Sequence, residues 1–263
     1  MIIDFHVHMF PDKIASGAVN TLSERAKIPA YTNGTSSETL GKMASAGIDI
    51  AVVQNIATNP KQTKNVNNFA LEINKDEHIV AFGSIHPDDA DYKSELDRLA
   101  DNGIKGIKLH PDYQDFFIDE ARMQPIYEYI LKKGFVLLFH AGLDVGLPDP
   151  VHASPEGIKN VLPMFSGEKV CLAHMGGYYM HEMLMEKIMG NDIYIDTSCI
   201  SEFEGMKKFE ERVKAHRRDR ILFATDTPWN AFETAVKNVN LLDIEDEFKQ
   251  MIFSDNAKRL LNI

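Results

Sequence analysis

The sequence predicts an α/β fold, a single (β/α)8 TIM barrel over residues 1–263. Three observations predict it: short apolar runs recur along the chain, stretches with helical periodicity separate them, and no linker or low-complexity tract divides them. This alternation is typical of parallel strands joined by helical crossovers, and eight units over about 250 residues match such a barrel. A doubly wound open sheet is the alternative, but no GxGxxG turn follows the first apolar run.

Eight short runs of apolar and β-branched residues predict the strands. None of them approaches the length of a membrane span. In chain order the runs are IIDFHVH (2–8), IDIAVVQNI (48–56), HIVAFGSIH (78–86), GIKGIKLH (103–110), FVLLFHAG (135–142), KVCLAHMGG (169–177), DIYIDTS (192–198) and RILFATDT (220–227).

Helices are predicted between these runs. Residues 65–73 and 92–99 carry apolar side chains at three- and four-residue spacing, which indicates one buried helix face. Asp119 is predicted to cap the helix that follows it, because a short carboxylate can accept the free N–H groups of a first turn. Ser154 and Pro155 predict another helix start, with the proline near the first helical position.

Composition limits the partners and the compartment. The net charge of −11 disfavours nucleic acid, because phosphate binding needs a basic surface. The two cysteines, Cys171 and Cys199, are predicted to be small buried apolar residues rather than a disulfide or a ligand pair. The first strand begins at the initiator methionine, so we expect no signal peptide. We therefore expect a cytoplasmic protein with a small-molecule substrate and no membrane partner. The sequence leaves open whether the protein forms a homo-oligomer.

The ends of the predicted strands collect the polar residues. His6 and His8 stand at alternate positions of the first strand, so they share one face, with Asp4 behind them. Active sites of (β/α)8 barrels lie at the carboxyl ends of the strands. Polar residues at those ends are His6, His8, Asn55, His86, Lys108, His110, His140, His174, Asp196, Ser198 and Asp226.

Four of these residues form a metal-ligand set. His6, His8, His140 and Asp226 offer three imidazole nitrogens and one carboxylate oxygen from three strands. Zinc and similar divalent ions favour such donors, and a catalytic site leaves one coordination position open. We predict one divalent ion, with Zn²⁺ as the first choice and Mn²⁺, Fe²⁺ or Co²⁺ as alternatives.

Motifs along the whole chain carry a family resemblance: HVH, FHAG, AHMGG, YIDTS, FATDTPW and the terminal DNAKRLLNI. The sequence resembles the amidohydrolase superfamily, and within it the amidohydrolase-related branch (amidohydrolase family 2). That branch contains hydrolases, lactonases and decarboxylases of the aminocarboxymuconate-semialdehyde type. The resemblance supports the barrel and an enzyme, but a fold does not fix a substrate.

The resemblance also implies roles for the ligand set. His6, His8 and His140 would hold the metal, and Asp226 would be a ligand or the base that takes a proton from an activated water. His174 is predicted to be a catalytic imidazole outside the ligand set, which orients water or polarises the substrate carbonyl.

Lys108 leaves a second arrangement open. The run GIKGIKLHPD resembles the strand that carries a carbamylated, metal-bridging lysine in some superfamily members. A binuclear site with carbamylated Lys108, together with His140 and His174 as ligands of the second ion, is therefore the alternative to one metal. Lys108 could instead pair with Asp226 or with a substrate carboxylate.

Residues after the strand ends are candidates for substrate contacts. Phe10, Tyr178 and Trp229 would wall a small apolar or planar substrate, and His86 and His110 would line the pocket. The alternative for each is that it only packs or closes a loop. No arginine stands at a strand end, which disfavours a substrate held by paired carboxylate contacts.

These observations predict a metal-dependent hydrolase of a small amide, ester or lactone. The alternative is a metal-dependent non-oxidative decarboxylase of a small aromatic or unsaturated carboxylic acid. A phosphoesterase and a non-catalytic, metal-stabilised barrel are further alternatives.

Overall fold

A computed structural model of the protein describes residues 1–147 and 149–263 and contains eight parallel strands in sequence order. Backbone hydrogen bonds between the first strand and the segment after the last close the barrel, including His8 N–H to Thr227 C=O at 2.7 Å. The predicted (β/α)8 barrel is confirmed. The strands are β1 Ile3–Val7, β2 Ile50–Gln54, β3 Ile79–Gly83, β4 Gly106–Leu109, β5 Val136–Phe139, β6 Val170–Leu172, β7 Tyr194–Asp196 and β8 Ile221–Leu222.

Helices follow the strands and cover the barrel. Within the described residues, no helix is both long and apolar enough to span a bilayer. The α-helices are α1 Asp12–Ala26, α2 Ser36–Ser45, α3 Thr63–Ile73, α4 Tyr92–Asp101, α5 Pro111–Gln114, α6 Gln124–Lys132, α7 Pro155–Phe165, α8 His181–Lys187, α9 Ile200–Phe203, α10 Met206–Ala215, α11 Phe232–Asn240, α12 Asp246–Gln250 and α13 Asn256–Leu261. Short 3₁₀ turns lie at Pro60–Gln62, Ala121–Met123, His174–Gly176 and Arg218–Arg220, and a π-helical turn lies at Met251–Asp255.

Two apolar clusters build the core, because neighbouring strand residues point to opposite faces. The larger cluster packs helices against the outside of the strands, whereas the smaller one fills the barrel and reaches Leu260 of α13. Inside the barrel, a Cβ on Gly106 would meet the ring of Phe82 at 2.4 Å. Glycine at this position therefore lets a phenylalanine fill the barrel below the site.

A β-bulge in β1 changes the predicted register. The pairing with β2 shifts between Asp4 and Val7, so strict alternation fails there. The side chain of Asp4 accepts the backbone N–H groups of His6 at 3.1 Å and Thr225 at 3.0 Å. The prediction that Asp4 lies behind the histidines on their face is wrong, because one extra residue in the strand redirects it.

Helix ends tested the capping predictions. Ser154 caps α7 as predicted by accepting the N–H of Gly157, with Pro155 as the first helical residue. The predicted cap at Asp119 is wrong: Glu120 precedes the 3₁₀ turn, and Asp119 accepts the side-chain amide of Asn160. Asp119 lies one residue before the capping position, so its carboxylate accepts a side-chain N–H instead of the free N–H groups of the first turn.

Candidate metal centre

The carboxyl ends of the strands surround a cavity of about 520 Å³. His86, predicted to line it, is not among the described lining residues; its Nδ1 accepts the backbone N–H of Asp88 at 3.2 Å. The predicted residues that do line the cavity are His6, His8, Phe10, Lys108, His110, His140, His174, Tyr178, Asp226 and Trp229.

Three of the four predicted metal ligands lie together. The Nε2 atoms of His6 and His8 are 3.3 Å and 3.1 Å from Oδ1 of Asp226. The other ring nitrogen of each histidine is engaged: Nδ1 of His6 lies 2.9 Å from Oδ2 of Asp196, and Nδ1 of His8 lies 3.0 Å from the carbonyl of Gln54. Because oxygen atoms accept at both positions, Nδ1 carries a proton in each ring, and Nε2 presents a lone pair when the ring is neutral.

The protonation of the two histidines beside Asp226 decides whether these three side chains can bind a cation. When the His8 ring is neutral, its Nε2 lone pair faces a carboxylate oxygen of Asp226. Burial, followed by the charge of Lys108, holds the pKa of His6 well below its usual value, so His6 is neutral as a ligand must be. Electron-rich atoms this close repel each other unless a positive charge lies between them. The donor set of two imidazoles and one carboxylate therefore fits a divalent ion.

His140 lies outside this group but is linked to it. Ser198 donates its hydroxyl to Asp196 at 2.5 Å, so it accepts the Nδ1 proton of His174 at 2.8 Å. Nε2 of His174 then accepts from Nδ1 of His140 at 3.1 Å. This chain of donors leaves Nε2 of His140 without a proton, and that buried atom has no hydrogen-bond partner among the described residues. A buried nitrogen that lines the cavity and has a free lone pair fits the role of a metal ligand.

A second group lies beside the first. Nε2 of His110 is 3.2 Å from Oδ2 of Asp144, and the rings of His110 and His140 stack with centroids 4.1 Å apart. Nδ1 of His110 accepts the backbone N–H of Tyr113 at 3.4 Å, so Nε2 carries the proton and donates it to Asp144. This pair is already satisfied without a cation.

Lys108 points into the same end of the cavity. Its Nζ lies 3.3 Å from Nε2 of His6, and the side chain is buried. Burial lowers the pKa of Lys108 to about 8, against the opposing charges of Asp196 and Asp226. The amine is therefore still mostly protonated at neutral pH, but it loses its proton more readily than an ordinary lysine.

Asp226 is held by its backbone and by a cysteine. Oδ2 of Asp226 accepts the thiol of Cys199 at 3.2 Å. His174, Cys199 and Asp226 each adopt a left-handed backbone, with φ of 54°, 66° and 68°. Such residues cost about 1–3 kcal/mol each and concentrate at functional sites. The sharp turns after β6, β7 and β8 aim these three side chains at one point.

Sequence reasoning missed several contributors. The sequence places Asp196 and Ser198 at strand ends but indicates no role for them, although they fix the rings of His6 and His174. Both cysteines are free and buried as predicted, and Cys171 packs inside the barrel. Cys199, however, lines the cavity and contacts Asp226. Its position directly after YIDTS was the available signal.

The barrel and the polar cavity at its carboxyl end define the class of (β/α)8-barrel enzymes. Within that class, the chain belongs to the amidohydrolase family: the Amidohydro_2 (amidohydrolase) family model matches residues 3–263. The predicted resemblance and the prediction of an enzyme are confirmed, because this metal-dependent family contains hydrolases and decarboxylases. No curated protein has a sequence that matches this chain.

Solved structures share the fold at low identity. An uncharacterized TIM-barrel protein from Bordetella bronchiseptica is 21% identical, with a TM-score of 0.81 over 99% of this chain and 98% of that one. A 5-carboxyvanillate decarboxylase from Novosphingobium aromaticivorans, with bound manganese, is 14% identical, with a TM-score of 0.69 over 100% and 97%. A proposed 2-pyrone-4,6-dicarboxylic acid hydrolase from Pseudomonas putida is 19% identical, with a TM-score of 0.69 over 99% and 97%. These likenesses support the fold.

Proposed function

We propose that the protein is a metal-dependent hydrolase of a small amide, ester or lactone. One observation carries the proposal: the lone pairs of His6 and His8 converge on a carboxylate oxygen of Asp226 inside a cavity of about 520 Å³. His140 completes the set, because its buried Nε2 has no other partner among the described residues. We propose one ion per chain, with Zn²⁺ first and Mn²⁺, Fe²⁺ or Co²⁺ as alternatives.

When bound, a divalent ion polarises a carbonyl and makes water a better nucleophile at neutral pH. Asp226 is the proton acceptor in our proposal, since its carboxylate faces the open cavity. The water oxygen forms a bond to the carbonyl carbon, and the bond to the leaving amine or alcohol breaks. The proton taken by Asp226 passes to that leaving group, so the carboxylate is regenerated.

Two further side chains support the reaction. His174 has a fixed tautomer, because Ser198 accepts its Nδ1 proton, and its Nε2 accepts from Nδ1 of His140, so we propose that His174 positions His140. The buried hydroxyl of Tyr178 has no hydrogen-bond partner among the described residues and lines the cavity. We propose that Tyr178 donates to the substrate oxygen, because burial raises its pKa and keeps it protonated.

Lys108 favours a second candidate, the non-oxidative decarboxylase. Apart from histidine, it is the single cationic side chain among the described residues that line the cavity. A buried ammonium can hold the carboxylate that leaves as carbon dioxide, after which the substrate carbon takes up a proton. The solved decarboxylase with bound manganese supports this candidate as an analogy of fold.

Metal analysis tests the count of ions. We expect one equivalent of divalent metal per chain in protein purified without chelator, measured by inductively coupled plasma mass spectrometry. The alternative is a binuclear site in which carbamylated Lys108 and His174 serve the second ion. Two equivalents per chain, with activity that depends on added bicarbonate, would replace our one-metal proposal by that alternative.

A substrate panel tests the reaction. The metal-loaded protein is assayed on lactones, esters and amides for hydrolysis, and on carboxylated aromatics for release of carbon dioxide. We expect hydrolysis that disappears on metal removal and returns on reconstitution. Carbon dioxide release without hydrolysis would favour the decarboxylase. Full metal occupancy with no turnover on either panel would favour a barrel that is only stabilised by its metal.

The predictions of one domain over residues 1–263, a small-molecule substrate, a cytoplasmic location and an open homo-oligomeric state remain part of this proposal.

A further inference from the structure

We propose that the cavity continues from the metal centre into an elongated apolar arm that binds the uncharged hydrocarbon part of the substrate. This inference rests on the proposed function, because the reacting group is placed at the metal centre. The arm runs between α1 and the segment that contains α3. It selects an alkyl or aryl group several carbons long over a compact or charged one.

Helix α1 forms one wall of the arm. Ile14, Ala18, Leu22 and Ala26 line the cavity at intervals of four residues, which places them along one face of the helix. At a rise of 1.5 Å per residue, this stripe is about 18 Å long. A substrate the size of a simple amide would cover only a small part of it.

The opposite wall is uncharged but mixed, because Thr58, Gln62 and Asn65 line it beside apolar side chains. Ile56 precedes α3, and Val66 and Phe69 lie one turn apart on it. None of the described lining residues numbered 9–69 is charged. The charged lining residues Lys108, Asp144 and Asp226 all come from the strand-end side. The cavity is therefore divided into a polar end that holds the reacting group and an uncharged end.

The apolar side chains of the arm are not fully buried by packing on one another. Ile14 is 55% exposed although it lines a cavity, and Ala18 and Leu22 are only partly buried. Ala18 and Ala26 alternate with larger residues along the stripe and leave open space between them. An apolar ligand would remove this surface from water, which strengthens binding by up to about fourfold per buried methylene.

Straight-chain hydroxamic acids test the arm. The hydroxamate group binds a divalent ion, and the change in affinity with the length of the alkyl chain measures contact with the apolar wall. Dissociation constants of the metal-loaded protein for the C2, C4, C6 and C8 acids are measured by calorimetry. We expect binding to tighten about two- to fourfold per methylene, so that C8 binds at least about 60-fold more tightly than C2. A C8 acid with a terminal carboxylate should lose most of this gain.

Two variants on α1 localise the effect. Ala18→Phe fills the arm, so the gain from C2 to C8 should fall below about fivefold. Asn20→Phe adds the same ring to the exposed face of the helix and should keep the full gain. An Ala18→Phe variant that keeps the full gain would overturn the arm.

The outcomes separate the arm from the proposed function. Equal affinity of the wild type for all four acids overturns the arm and leaves the metal centre intact. Failure to bind both metal and hydroxamates overturns the proposed function. In that case the C4 to C8 1-alkanols are tested on the metal-free protein by thermal shift. A melting temperature that rises with chain length in the wild type but not in Ala18→Phe supports the arm, and no rise overturns it.

Discussion

Two histidine–aspartate pairs share the mouth of the barrel at nearly the same distance. Nε2 of His8 is 3.1 Å from Asp226, and Nε2 of His110 is 3.2 Å from Asp144. Their other ring nitrogens differ: Nδ1 of His8 donates to a carbonyl, whereas Nδ1 of His110 accepts an N–H. As neutral rings, His110 therefore offers a proton to its carboxylate, whereas His8 offers a lone pair.

This difference shows that the distance between a histidine and a carboxylate does not identify a metal site. The partner of the remote ring nitrogen decides whether the near nitrogen offers a proton or a lone pair. Burial lowers the pKa of both His6 and His110, so neutral imidazoles occur in both groups. What separates the groups is therefore the tautomer, which the neighbouring backbone imposes.

The largest effect is expected at the carboxylate of the His8 pair. Asp226→Asn should lower kcat by about 10²–10⁴-fold, because the amide cannot accept the proton from water. Steady-state kinetics on the best panel substrate measure the loss. Near-normal turnover would remove Asp226 from the reaction.

Metal affinity should separate the two groups directly. His8→Ala should weaken metal binding by more than about 100-fold, because a ligand lost costs at least as much as a residue that only orients one. His110→Gln is the matched variant and should change the affinity by less than about threefold. Titration with a metal indicator measures both. Equal losses would place the ion in the His110 group.

His174 connects the groups without belonging to the ligand set. We expect His174→Ala to retain metal and to lower kcat by about 10- to 100-fold, as for residues that orient reacting groups. Metal content and kinetics are measured on the same preparation. If this variant lost its ion as readily as His140→Ala, the division of roles between the two histidines would be wrong.

Metal removal should produce a smaller, thermal effect. Metal at about 100 times its dissociation constant stabilises the native state by about 2.7 kcal/mol. For a chain of this size, chelation should lower the melting temperature by about 5–10 °C. His8→Ala should melt at the same temperature with and without chelator, whereas His110→Gln should respond as the wild type does.

The smallest effect concerns a histidine far from both groups. Nε2 of His216 donates to the carbonyl of Ile193 at 2.8 Å, and burial lowers its pKa to about 4. Because the folded pKa lies below the unfolded one, its contribution is present above pH 6.5 and is lost as the pH falls toward 4. The free energy of unfolding should depend on pH less steeply in His216→Gln than in the wild type, by at most about 1.4 kcal/mol per pH unit. Denaturation midpoints measured at several pH values give this slope. An unchanged slope would assign acid sensitivity to other groups.

Sequence reasoning predicts the barrel well, because the strand and helix periods are local properties of the chain. The ligand candidates also followed from it, since the fold brings all strand ends to one rim. The bulge at Asp4 could not be predicted, because it depends on the register between β1 and β2. The position of His86 outside the described cavity lining likewise depends on how its loop turns.

Roles that depend on hydrogen-bond partners were also out of reach. The tautomer of His8 is fixed by the carbonyl of Gln54, which is distant in sequence. The left-handed backbone at Cys199 and Asp226 has no glycine or asparagine to signal it. The apolar stripe of α1 has the spacing of an ordinary buried helix face, so its exposure to a cavity becomes visible only in the fold.

The closure of the barrel has a consequence for synthesis of the chain. Asp226 donates its backbone N–H to the carbonyl of His6, so the site lies where β1 meets the segment that follows β8. A ribosome-bound chain that stops before residue 226 has the histidines but lacks their carboxylate. A cation bound at this junction would therefore stabilise only chains that extend past residue 226. Shorter chains would lack this contribution to stability.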